Sequence, residues 1–309
     1  MTTILELPRQ PKQSFYGDQF NSAGVQTRVN ASTFQVFKAC PRKYLYEVLL
    51  GIAKPESDPH LRFGTLIHAA KALYETNKAR GASHDLALQG AFRYLLSETW
   101  DEKLAKPGFT DDPLKNRATL LRTFVWYCDQ YRDDTCETVV LPSGRPAVEL
   151  GFEFASGVGS EGEEITFVGT LDRIVRFNGA VYIADTKTSS NAKYLTARNY
   201  TPDGQFSLYA CAAMVCFGIE ADGVVLDGIE VSVNSTAFKR EIVPRPREVL
   251  EEWLTDARVH LRRLSDAFAR DEWPQNDAAC GLYGGCRFRS VCGASPAERR
   301  DLLLAAKAQ

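Results

Sequence analysis

In the stretch YIADTKTSS, residues 182–190, apolar residues lead up to an aspartate and a lysine two positions apart, Asp185 and Lys187. Side chains on a strand alternate between faces, so these two project the same way. The earlier stretch TFVGTLDRIVRF carries Asp172 on one face with Val168, Thr170 and Ile174, and Asn178-Gly179 is a strong hairpin signal between the two. If both faces point inward, two carboxylates stand among Val and Ile, and burying each costs several kcal/mol without a counter-charge. Lys187 can neutralise only one. A divalent cation held between Asp172 and Asp185 resolves the rest, and hard oxygen donors suit Mg²⁺ or Mn²⁺. Such a cation polarises a phosphate and makes hydroxide available near neutral pH. Lys187 would then orient water or stabilise charge developing on phosphorus. The competing explanation of the triplet taken alone is a solvated Asp185–Lys187 pair worth little. Polar residues at separate places favour the site. They are Glu149 on the preceding strand, His68 on a helix after Gly64, and Gln205 and Tyr209, four apart on one helix face.

A second constellation is Cys280, Cys286 and Cys292, evenly spaced, with Cys40 far upstream in FKACPRKY. Thiolates of this kind bind iron–sulfur clusters or zinc. Cys128, Cys136, Cys211 and Cys216 lie in apolar helical patterns and read as core packing.

These residues need elements to position them. NASTFQVFKACPRKYLYEVLLG predicts a helix with Ser32 as N-cap, a break or kink at Pro41 and a stop at Gly51. FGTLIHAAKALYETNKARG predicts a helix ended by Gly81, with Leu66, Ala69, Ala70 and Leu73 on one face. Two more helices are expected near 84–105 and 113–134. Three segments of period-two alternation follow, then a helix near 203–218, strands around 222–233 and 236–243, a helix over 246–270, and a short helix from about 295. The expected organisation is an N-terminal arm (1–30), one α/β core over 31–292 with a helical insertion at about 84–135, and a C-terminal helix (293–309).

The chain has 309 residues, 44% hydrophobic and 25% charged, with a formal net charge of −2. That composition supports a real core and excludes a uniformly basic surface, so nucleic acid would have to be held by local patches. The first twenty residues lack a signal-peptide apolar core, and the longest apolar run, YACAAMVCFGI, is too short to cross a bilayer. A cytoplasmic protein without membrane contact is expected, in which eight cysteines are ligands or core thiols rather than a disulfide framework.

Taken in order, FGTLIH, GTLDRI, ADTKTS and QFSLY resemble the RecB-type branch of the PD-(D/E)XK nuclease superfamily. The resemblance spans about 32 to 292 and implies a restriction-endonuclease-like fold, a central mixed sheet flanked by helices. It further implies that His68, Asp172, Asp185 and the Thr186 carbonyl bind Mg²⁺ or Mn²⁺. Lys187 would assist the water, Gln205 and Tyr209 would contact DNA or the metal's waters, and Glu149 would match a frequent upstream acid. Many members of this branch place one Cys before the nuclease core and three after it to hold a [4Fe–4S] cluster, which here implies Cys40, Cys280, Cys286 and Cys292. Five residues separate Cys280 from Cys286 where two are commoner. Zinc in the same thiolates is the rival.

Lys38, Arg42 and Lys43 flank Cys40, and Arg287 and Arg289 stand between the trailing cysteines. Joined by a cluster, these charges would converge on phosphates, with Tyr44, Tyr46, Tyr283 and Phe288 available to stack bases. The functional expectation is a metal-dependent DNA exonuclease favouring single strands or duplex ends, in recombination, repair or phage DNA metabolism. A CRISPR-adaptation nuclease is a related alternative, and a non-cleaving DNA-binding or assembly protein is a rival from another class. No Walker A pattern occurs, so helicase action would come from a partner.

Overall fold

The structure is a computed structural model and describes residues 18–52 and 58–307. Residues 1–17 of the expected arm and the side chain of Tyr283 lie outside the described residues. Along the chain the elements are β1 (Arg28–Val29), α1 (Ala31–Ala39) and α2 (Pro41–Tyr44), the last running into a π-helical turn (Leu45–Leu49). Next come α3 (Pro59–Ala79), α4 (His84–Glu98), the ladder of β2 (Trp100–Asp101) and β3 (Lys106–Pro107), and α5 (Arg117–Gln130). Then follow β4 (Glu137–Thr138), β5 (Val148–Val158), β6 (Glu164–Phe177), β7 (Ala180–Ser189), α6 (Gly204–Phe217), β8 (Gly223–Val231) and β9 (Thr236–Pro244). The chain closes with α7 (Arg247–Arg270), α8 (Arg289–Gly293) and α9 (Pro296–Lys307). Among the described residues no helix is long and apolar enough to cross a membrane.

The chain divides into two compact units, one of residues 1–55, 153–169 and 251–309, the other of 56–152 and 170–250. In the first unit β1 pairs parallel with the start of β6, Arg28 opposite Thr166. Phe34 meets Phe167 edge-on at 5.3 Å, and Phe167 stacks on Trp253 at 5.8 Å. Residues 18–30 are thus no loose arm: Gln26 and Val29 are fully buried.

In the second unit β6, β7, β8 and β9 lie side by side, with β4 on the far side of β6. The β6–β7 and β8–β9 pairs are antiparallel and the β7–β8 pair is parallel, so the sheet is mixed as expected. Asn178 and Gly179 take φ of 50° and 83°, which a tight two-residue hairpin requires. Helices α3, α4 and α5 cluster through Phe63, Ile67, Ala91, Leu120 and Phe124 over Ile229 and Val231 of β8, and α6 packs on β7 and β8.

Several local expectations are corrected. Asn30, not Ser32, caps α1, its side chain accepting from Thr33 N at 2.9 Å. Both residue types cap well, and the one that precedes the first helical turn wins. The stripe on α3 is Phe63, Leu66, Ile67, Ala70 and Tyr74, while Leu73 is 40% exposed. The next helix stops at Glu98, because Asp101 accepts from the N–H groups of Lys103 and Leu104 and turns the chain into the β2–β3 ladder. The following helix starts only at Arg117, since Asp112 holds Leu114 N and Lys115 N in a turn and Asn116 caps. Cys136 lies in a loop, not a helix, though buried, and Cys216 is half-buried.

Candidate active site

All seven expected active-site side chains fall in the second unit. Strand β7 presents alternate residues to opposite sides. Asp185 and Lys187 face α6, where Lys187 Nζ donates to Gln205 Oε1 at 3.1 Å. Thr186 faces α3, where its Oγ1 accepts from Lys71. The helix α6 begins at its Asp203 cap, and Gln205 Nε2 donates to Tyr209 OH at 2.8 Å, one turn on, as their spacing predicts. Tyr209 in turn meets Phe152 edge-on.

Asp172 is held by two donors. His68 Nδ1 lies 3.0 Å from its Oδ2, and Thr186 N donates to the same oxygen at 3.1 Å. Burial alone would lift the Asp172 carboxyl, but these hydrogen bonds and the charges of His68 and Lys187 keep it below the usual range. Burial alone would lower His68, yet its bond to Asp172 and the charges of Asp172 and Asp185 raise it.

Asp185 is 1% exposed. Burial lifts its carboxyl to about 6, Lys187 opposing and Asp172 reinforcing the rise. Lys187 Nζ pairs with Asp185 Oδ2 at 2.8 Å, and that oxygen meets no other donor among the described residues. Glu149 sits at φ +47° near the start of β5. Its side chain reaches solvent, yet the protein around its carboxylate and then the charge of Asp172 raise it to about 7. A small cavity of about 20 Å³ is lined by His68, Glu149, Asp172 and Thr186, among others.

These donors fit a hard divalent cation. Two neighbouring carboxylates, the buried Asp185 and an Asp172 close enough to raise its affinity for protons, with a single lysine beside Asp185, are an excess of negative charge that a dication relieves. The residues that would hold it are Asp172, Asp185 and the Thr186 carbonyl, with His68 adjacent. Among the described residues no three His, Cys, Asp or Glu side chains are already gathered round one point. His68 Nδ1 is engaged by Asp172 and Asp185 Oδ2 leans on Lys187.

Sequence reasoning missed a second layer. Asp227, in the apolar run GVVLDGIEV of β8, is 2% exposed and bonded to Lys71, Tyr127 and Arg240. Arg173, next to Asp172, pairs with Glu75 at 2.9 Å. An acid inside an unbroken apolar strand was the available signal.

The four cysteines lie in the first unit. Asn276 links two of them, its N–H donating to Cys40 Sγ at 3.3 Å and its carbonyl accepting from Cys280 Sγ at 3.9 Å. Cys286 N donates to Cys280 O. Burial raises Cys292, Arg42 lowers it, and the charges of Cys40 and Cys286 raise it further, so these thiols sense one another. Soft sulfur donors suit an iron–sulfur cluster or zinc, but among the described residues these four are not gathered round one point.

The basic patch is changed. Arg287 and Arg289 are exposed, Arg42 donates to Trp273 O at 2.6 Å, and Lys43 pairs with Glu47. Tyr44 and Tyr46 are wholly buried and Phe288 nearly so, with Tyr44 OH donating to Gln26 Oε1 and its ring stacked on Trp273. Those three rings pack the interior and offer no face to a base.

Residues 28–293 match the family model of the PD-(D/E)XK nuclease superfamily. A crystal structure of a presumed exonuclease from Eubacterium rectale is 13% identical, covers 86% of this chain and 92% of its own, and superposes at a TM-score of 0.50, a likeness of fold. A second solved structure, 14% identical over 86% of each chain, reaches a TM-score of only 0.35. No curated protein matches in sequence.

Proposed function

The chain belongs to the PD-(D/E)XK nuclease superfamily, and from that footing we propose that it is a Mg²⁺- or Mn²⁺-dependent deoxyribonuclease, an exonuclease acting on single strands or duplex ends. The observation that carries this reading is the buried Asp185, on one strand face with Lys187 and near Asp172, whose Oδ2 meets no donor but Lys187 among the described residues. A non-cleaving assembly protein has no use for two such carboxylates. When bound, the cation supplies Lewis acidity to a phosphate and acidifies water. Asp172, fixed by His68 and Thr186 N, and Asp185 supply the anionic oxygens. Lys187, steadied by Gln205, sets a positive charge where the phosphorane gains negative charge. Gln205 and Tyr209 form one hydrogen-bonded unit that orients Lys187. Recombination, repair or phage DNA metabolism is the proposed setting, with unwinding left to a partner.

End-labelled linear DNA, single- and double-stranded, and circular single strands test the reading with Mg²⁺ or Mn²⁺. Linear single strands should be degraded to short products and circles spared. Chelation with EDTA should bring degradation to background, and added Mn²⁺ should restore it. Degradation indifferent to EDTA would remove the metal from the reaction, and circles cut as fast as linear strands would make the enzyme an endonuclease.

We further propose that Cys40, Cys280, Cys286 and Cys292 hold a structural [4Fe–4S] cluster, whose binding energy is folding energy. Cys286→Ala is expected to give pale protein with reduced iron and a lower unfolding temperature. A variant with unchanged stability and activity would count against the staple, and colourless wild type containing zinc would replace the cluster with the rival metal.

A further inference from the structure

Helix α3 grips the sheet at neighbouring strands, β6 through His68 and β7 and β8 through Lys71. His68 binds Asp172, and three residues on Lys71 Nζ donates to Thr186 Oγ1 and to Asp227 Oδ2, both at 2.6 Å. Asp227 is the hub of a buried network. Tyr127 OH donates to its Oδ2 at 2.5 Å and Arg240 Nε to its Oδ1 at 3.2 Å, while Arg240 also pairs with Asp134. The ammonium of Lys71 also lies 4.1 Å from the Tyr127 ring centre. Lys71 is 7% exposed and Asp227 2%.

Stability alone is a weak reason to keep such a network, because well-packed apolar residues often serve as well as a buried ion pair. The network ends, however, on Thr186. The N–H of that residue donates to Asp172, and its carbonyl belongs to the proposed metal-binding set. A threonine whose hydroxyl is tied on one side of the sheet cannot rotate its peptide freely on the other. We propose that Lys71, backed by Asp227, is a positioning residue that fixes the Thr186 peptide and so sets the affinity of the site for its divalent cation. This inference rests on the metal-centre reading above.

Mn²⁺ binding to the metal-free full-length chain, followed by calorimetry or by the Mn²⁺ EPR signal, tests it without reference to turnover. Lys71→Met and Thr186→Val should each weaken Mn²⁺ binding by roughly 10-fold or more, the usual effect of losing a group that orients a ligand. Because both remove one hydrogen bond, the double variant should bind about as weakly as either single one. Thr186→Ser, which restores the hydroxyl, should recover the affinity lost in Thr186→Val. Thr186→Val leaves the Lys71–Asp227 pair intact and carries the test if Lys71→Met does not fold. Wild-type affinity in Thr186→Val, or losses that multiply in the double variant, would overturn the proposal while leaving the metal centre standing. Wild type that binds no Mn²⁺ would overturn the metal centre and this inference together.

Discussion

Lys187→Ala should yield a folded protein that cleaves DNA about 10²–10³-fold more slowly, the usual loss on removing one preorganised group that stabilises transition-state charge. Burial by itself would favour a neutral amine, but the carboxylates of Asp185 and Asp172 outweigh it and raise the affinity of Lys187 for its proton. The residue therefore brings a full positive charge to the site, aimed by Gln205. Its loss removes that charge and also the counter-ion of Asp185, whose carboxyl already sits near 6. The effect should fall on kcat, with DNA affinity changed little, since an interaction made only in the transition state leaves ground-state binding alone. Single-turnover cleavage beside a DNA-binding titration separates the two. Equal degradation by variant and wild type would sink the assigned chemistry.

Asp227→Ala should destabilise the protein by about 3–5 kcal/mol, because it leaves Lys71 a buried cation without its carboxylate and Arg240 with Asp134 alone. The shift in urea midpoint against wild type measures this, and a shift indistinguishable from zero would mean that the cations find water or other partners. The same residue predicts acid sensitivity. Burial would raise the Asp227 carboxyl, but Lys71 and Arg240 hold it far below the ordinary carboxylate range. Its stabilising contribution is therefore complete above about pH 4, the unfolded-chain value, and is lost as pH falls through the still lower folded value. Wild type should lose stability more steeply below pH 4 than Asp227→Asn.

The candidate site was legible in the sequence to the extent that it depended on local spacing. Alternation placed Asp185 and Lys187 on one face, helical periodicity joined Gln205 to Tyr209, and Asn178-Gly179 announced the hairpin. The network around Asp227 was not, because Lys71, Tyr127, Asp227 and Arg240 come from four separate elements and only the tertiary fold shows that their charges meet. The aromatic residues beside Cys40 failed for the converse reason. A tyrosine near lysines and arginines has the composition of a base-stacking platform whichever way its ring points, and Tyr44 points inward onto Trp273. Cap positions were ambiguous where two suitable residues stood close together, as at Asn30 and Ser32.

Glu149 occupies a backbone conformation that glycine adopts at no penalty and that strains a residue bearing a side chain by about 1 kcal/mol or more. A search for heat-resistant variants that ignored turnover would accordingly drift toward Glu149→Gly, and would discard a carboxylate beside Asp172 in doing so. Durability and chemistry pull on that one position in opposite directions.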